Sequence, residues 1–75
     1  MNKQRRKTLC ELKERMIDII TEIEAVKYDE ETAYDNMPEG LQCSLRGEDS
    51  QEAINVLDEI IDGLNEIMDS FNEIV

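Results

Sequence analysis

The clearest order in this chain lies in its second half, where apolar residues return every seven positions. Leu57-Asp58-Glu59-Ile60-Ile61-Asp62-Gly63 is followed by Leu64-Asn65-Glu66-Ile67-Met68-Asp69-Ser70 and then by Phe71-Asn72-Glu73-Ile74-Val75. Leu57, Ile60, Leu64, Ile67, Phe71 and Ile74 alternate spacings of three and four, the seam of a coiled coil or of a bundle helix. Ile54, Ile61, Met68 and Val75 add a flanking row, so the apolar face is too wide for one neighbouring helix to cover. Asp49 with Glu52 three residues on, or Ser50, supplies an N-terminal capping signal after the breaker Gly47. The pattern predicts a helix over residues 49–75. Gly63 and Ser70 sit at the edge of this seam, where small side chains either admit a close neighbour or are tolerated exposed positions.

The first half carries the same signal. Leu9, Leu12, Met16, Ile19, Ile23 and Val26 follow the three-four alternation, Ile17 and Ile20 flank them, and Ala33 and Tyr34 prolong the face. This predicts a helix over 4–34. At 1.5 Å per residue two such helices are roughly 45 and 40 Å long and can pair along their length. The expected fold is all-α, a single domain over 1–75: an antiparallel two-helix hairpin, dimerising into a four-helix bundle to cover the wide faces. The oligomer seam would be Leu57, Ile60, Leu64, Ile67 and Phe71.

Between the helices lie residues 35–48, longer than the two to eight residues a helical hairpin needs. Pro38, Gly40 and Gly47 are turn formers, while Met37, Leu41 and Leu45 could tuck onto the end of the bundle. The expectation is a long ordered loop acting as a cap.

Size sharpens the need for a partner. A chain of 75 residues buries too little surface to be robust without a staple or an oligomer. The two cysteines, Cys10 and Cys43, fall toward opposite ends of the hairpin, too far apart for an intramolecular disulfide. With no histidine in the chain neither thiol has an activating base, and no ligand spacing suits a metal. No catalytic residue, no cofactor and no metal are expected, and the protein is read as a non-enzyme. The basic start, Met1 to Lys7, runs into Glu11, Lys13, Glu14, Arg15 and Asp18 rather than a signal-peptide core, and no apolar run reaches membrane-span length. A cytoplasmic protein with reduced thiols and no membrane association is expected.

Net charge is −11 and unevenly shared. Residues 1–27 hold seven Lys/Arg against five Asp/Glu, a balance of +2; residues 28–75 hold Arg46 against fourteen acids, a balance of −13. Such a field disfavours direct binding to a nucleic-acid backbone and favours a basic protein partner. Antiparallel pairing would set Lys3, Arg5, Arg6 and Lys7 beside Glu66, Asp69 and Glu73, each cluster offsetting the other's misplacement on its own helix dipole.

Two candidate sites follow. Asp58, Asp62, Glu66 and Asp69 fall on the outer side of the second helix. Carboxylates one turn apart stand about 5–6 Å from each other, so this face could imitate a phosphate backbone and occupy a basic groove; its plain alternative is solvated surface charge. At the loop end, Tyr34, Asn36, Gln42, Ser44 and Arg46 gather hydrogen-bonding and aromatic groups. Arg46 with the start of the second helix would make an anion or nucleotide pocket with Tyr34 stacking on a base, unless Arg46 simply pairs with Asp35, Glu48 or Asp49.

The stretch Ala33-Tyr34-Asp35-Asn36-Met37-Pro38-Glu39-Gly40-Leu41-Gln42-Cys43-Ser44-Leu45-Arg46-Gly47-Glu48, followed by Glu52-Ala53-Ile54 and the acidic heptads, resembles small acidic helical-hairpin proteins of phages and prophages of Gram-positive bacteria. The similarity covers about residues 28–70 and carries no functional residue over. It implies a phage accessory protein, a class in which inhibitors of host defence are common. The leading expectation is therefore a viral anti-defence inhibitor in the host cytoplasm. It would block a host protein partner, such as a CRISPR effector or nuclease, by stoichiometric occlusion through the acidic face. The alternatives are a sponge that sequesters a nucleotide immune signal in the loop-end pocket, and a structural or assembly module with no ligand.

Overall fold

A computed structural model describes all 75 residues, and they form two long helices folded back on each other. Helix α1 spans Lys3–Asp35, a single turn α2 spans Glu39–Gln42, and α3 spans Leu45–Phe71. The molecule is a rod with extents of 58 × 15 × 12 Å. No helix is long and apolar enough to cross a membrane.

α1 starts at Asn2, whose side-chain oxygen accepts the Arg5 N–H at 2.8 Å and satisfies one of the orphan donors of the first turn. It ends at Asn36, just before Met37-Pro38, where proline excludes a continuing helix. α3 begins earlier than the sequence predicts. Ser44, not Asp49 or Ser50, holds the extended cap conformation, and residues 45–48 join the helix rather than the loop. The connection shrinks from the expected fourteen residues to Asn36–Ser44, and nearly half of that is α2. What shortens it is the close seating of α2 on α3, which Gly47 permits. Gly47 is buried inside the first turns of α3, and a Cβ built on it would lie 2.1 Å from the Gln42 carbonyl oxygen. The residue read as a helix breaker is therefore a contact point. Of the three side chains expected to cap the bundle end, Met37 is half-buried, whereas Leu41 and Leu45 are exposed, Leu45 at 78%.

The core is thin. Ile20, Ile61 and Met68 are buried, and Met16, Ile23, Leu64 and Phe71 pack around them. On α3 the inward row is Ile54, Leu57, Ile61, Leu64, Met68 and Phe71, which also alternates by three and four. Three of the expected seam residues, Leu57, Leu64 and Phe71, thus point at α1 within one chain, while Ile60 and Ile67 do not: they are 42% and 55% exposed. α1 shows the same rotation. Leu9, Met16 and Ile23 face inward with Ile20, and Leu12, Ile19 and Val26 face out.

Polar cross-links fix the antiparallel register. Lys13 Nζ donates to Asn72 Oδ1 at 2.7 Å, Lys27 Nζ bonds Asp58, and Ser50 Oγ donates to Glu30 Oε1 at 2.6 Å. Because Lys13 already meets Asn72, beyond the last residue of α3, the start of α1 projects past the hairpin. Lys3, Arg5, Arg6 and Lys7 consequently form no ion pair with Glu66, Asp69 or Glu73, contrary to the sequence expectation; Lys27 alone forms salt bridges, with Glu31 and Asp58.

Candidate functional site: an acidic ridge and a bare apolar face

The inward rotation of the rows divides the rod into surfaces of different chemistry. Along the outer side of α3, Glu52, Glu59, Asp62, Glu66 and Asp69 are exposed, and Glu73 continues the line just past the helix. None has a cation within 4 Å. From Glu59 to Glu73 the five carboxylates fall at intervals of three or four residues, roughly one charge per 5 Å of helix axis. One strand of DNA carries a charge about every 3.4 Å. Of the four acids singled out from the sequence, Asp62, Glu66 and Asp69 lie on this ridge. Asp58 is displaced toward α1 and half-buried by its bond to Lys27. The ammonium of Lys27 is held charged by that arrangement: the hydrogen bond it donates to Asp58 raises its pKa most, partial desolvation opposes it, and the Asp58 and Glu31 charges add to the rise.

The two sides of the hairpin seam differ. One side is more polar: Lys13, Thr21, Glu24, Asn65, Asp69 and Asn72 line one shallow cavity there around Ile17, Ile20 and Met68, and Lys27, Glu31, Asp58 and Asp62 help line the next. The other side holds a groove in which Val26 of α1 meets Ala53, Val56 and Leu57 of α3, with Glu30, Asp49 and Glu52 also lining it. Heptad spacing carries this groove along the rod, since Leu12 and Ile19 align with Val26, and Ile60 and Ile67 align with Ala53. All of these are exposed. Val56, Ile60, Gly63 and Ile67 alternate by four, three and four, so α3 has a second helix-packing stripe beside the one it uses.

At the loop end the structure ties together some of the residues expected to form a pocket, but to each other's backbone. Gln42 Nε2 donates to the Tyr34 carbonyl oxygen at 2.9 Å, and the Ser44 hydroxyl donates to the Leu41 carbonyl oxygen. Asn36 is the C-cap of α1 and exposed. Arg46 is exposed and pairs with none of Asp35, Glu48 and Asp49. No cavity is lined by Tyr34, Asn36, Gln42, Ser44 or Arg46. Of these residues, Gln42 and Tyr34 join α2 to the end of α1. Both cysteines are exposed free thiols.

Sequence reasoning missed three pairings: Glu30 with Ser50, Lys27 with Asp58, and Gly47 against Gln42. The first two carried a faint signal, as a serine and a lysine standing in otherwise apolar or acidic rows. Gly47 was visible only as a glycine.

No family model matches the chain, and neither a curated protein nor a solved structure is similar to it.

Proposed function

We propose that this protein is a non-catalytic, stoichiometric binder whose α3 ridge occupies a basic, nucleic-acid-binding groove of another protein. The observation that carries the reading is the row Glu59, Asp62, Glu66, Asp69 and Glu73, exposed and without counter-cations. A rigid helix holds these charges at about two-thirds of the linear density of one DNA strand, so binding costs little ordering and gains long-range attraction to a cationic cleft. In the phage setting suggested by the resemblance of residues 28–70, the fitting target is a bacterial defence nuclease or CRISPR effector, blocked by occlusion. The hairpin is also the unit of a self-associating bundle, since its thin core leaves a full apolar row outside.

Affinity capture from bacterial extract tests the ridge. A variant carrying Glu59→Lys, Asp62→Lys, Glu66→Lys and Asp69→Lys leaves Asp58 and the hairpin intact. The wild-type protein should retain a nucleic-acid-binding protein that short duplex DNA competes off, with retention falling steeply as salt rises. The reversed variant should lose it. Equal retention by the reversed variant, or competition-insensitive retention, overturns the proposal. The loop-end nucleotide sponge has no comparable support, because its residues line no cavity.

A further inference from the structure

We infer that the groove lined by Val26, Ala53, Val56 and Leu57, and rimmed by Glu30, Asp49 and Glu52, is a docking site for a cationic amphipathic helix of another protein. This goes beyond the ridge reading and does not rest on it, because the groove lies on the seam of the hairpin and the ridge on the outer side of α3.

The apolar part sets the shape of the occupant. Val26 is 56% and Val56 45% exposed, so the hairpin itself covers neither. On α3 the stripe continues from Ala53 and Val56 through Ile60 to Ile67, at the three-four spacing that accepts the side chains of a neighbouring helix. Ala53 to Ile67 spans roughly 21 Å by helix rise, which matches a helix of about 14 residues. Midway along it Gly63 has nothing within 4 Å of its would-be Cβ, so a helix laid there meets no obstruction. Two antiparallel helices leave a furrow between them, and a third helix in that furrow buries an apolar stripe against both.

Charge sets the chemistry of the occupant. Three carboxylates line the groove and no cation does. Lys27 follows Val26 in sequence but lines the opposite side of the seam, where it bonds Asp58. Glu30 accepts the Ser50 hydroxyl at 2.6 Å, which holds its carboxylate in place, and Asp49 and Glu52 are exposed and without salt bridges. Glu59 and Glu66 follow Glu52 at heptad intervals, so an acidic row runs beside the whole stripe. An apolar stripe edged by carboxylates is the complement of a helix whose aliphatic face is flanked by Lys or Arg. The docked helix and the self-association proposed above draw on the same row, and the rim favours the cationic occupant, because a second copy brings a net charge of −11. A contact of this length belongs with weak, transient interfaces, below about 1,200 Å².

Two synthetic peptides of about 14 residues test the fit. One carries leucines at three-four spacing with lysines elsewhere; the other has the same composition, shuffled so that the leucines share no face. At low salt the first should bind the full chain roughly ten-fold more tightly than the second in fluorescence anisotropy, and it should shift the amide resonances of Val26, Glu30, Ala53 and Val56. Val56→Lys, at an exposed position, should weaken binding on the order of ten-fold with helical circular dichroism retained. Asp49→Asn with Glu52→Gln should weaken it and flatten its salt dependence. Asp62→Asn with Asp69→Asn, which border the opposite side of the seam, should leave it within about two-fold. Equal binding of the two peptides, or resonance shifts centred on Asp62 and Asp69, would reduce the attraction to net charge and overturn the proposal. So would a Val56→Lys protein that binds as tightly as the wild type.

Discussion

Gly47 lies so close to Gln42 that a methyl group on it would stand 2.1 Å from the Gln42 carbonyl oxygen, inside any allowed contact. The joint between α2 and α3 depends on this absence of a side chain, and Gln42 in turn reaches back to the Tyr34 carbonyl. Gly47→Ala should therefore force α2 off α3 and cost about 1–3 kcal/mol, as overpacking does. Gly63, which has nothing within 4 Å of its would-be Cβ, gives the contrast: Gly63→Ala should be neutral or stabilise the hairpin by up to about 1 kcal/mol through helix propensity. Urea midpoints of the two variants check the pair, and a Gly47→Ala protein as stable as the parent would refute the contact.

Ser50 and Glu30 share a hydrogen bond toward the loop end, where Ser50 is buried. Ser50→Ala leaves the half-buried Glu30 carboxylate without that donor, and should cost about 1–3 kcal/mol. In a double-mutant cycle with Glu30→Ala the coupling should reach at least 0.5 kcal/mol, the lower bound for groups in contact. A coupling of zero would mean that water replaces the serine.

Rotation of the apolar rows predicts opposite responses from adjacent isoleucines. Ile61→Ala removes a buried side chain of a small core and should cost about 2–5 kcal/mol in thermal or urea unfolding. Ile60→Ala, measured dilute enough for the chain to be monomeric, should change stability by no more than about 0.5 kcal/mol. Equal costs at both positions would show that the seam predicted from the sequence, through Ile60 and Ile67, is the one facing α1.

Lys27 gives a pH test with a defined sign. Its pKa is raised in the folded chain above the ordinary value of 10.5, chiefly by the hydrogen bond to Asp58. A raised lysine contributes stability that is fully present below the unfolded pKa and is lost as pH rises through the folded one. Wild type should therefore be more stable than Lys27→Met at neutral pH, and the gap should close above pH 10.5. A gap independent of pH would assign the contribution of Lys27 to its aliphatic stem packing on the seam.

Heptad periodicity from Leu9 to Val26 and from Leu57 to Val75 was enough to point to two long helices, because apolar residues at three-four spacing share one helix face that must be shielded, and the single connection between them made antiparallel pairing the simple solution. The acidic ridge was equally legible, since carboxylates at 62, 66 and 69 must share a face at helical spacing. Which rows face inward was not legible. Each helix carries three apolar rows, and any adjacent two make an acceptable seam; on α1 the aliphatic pair through Leu12 and Ile19 even looks better than the pair interrupted by Lys13 and Lys27. The choice is made by long-range partners, Asn72 for Lys13, Asp58 for Lys27 and Glu30 for Ser50, together with the contact of Gln42 on Gly47. Such pairings join residues far apart in the chain, so local pattern is silent about them, and only the folded hairpin decides that the aliphatic row is left outside.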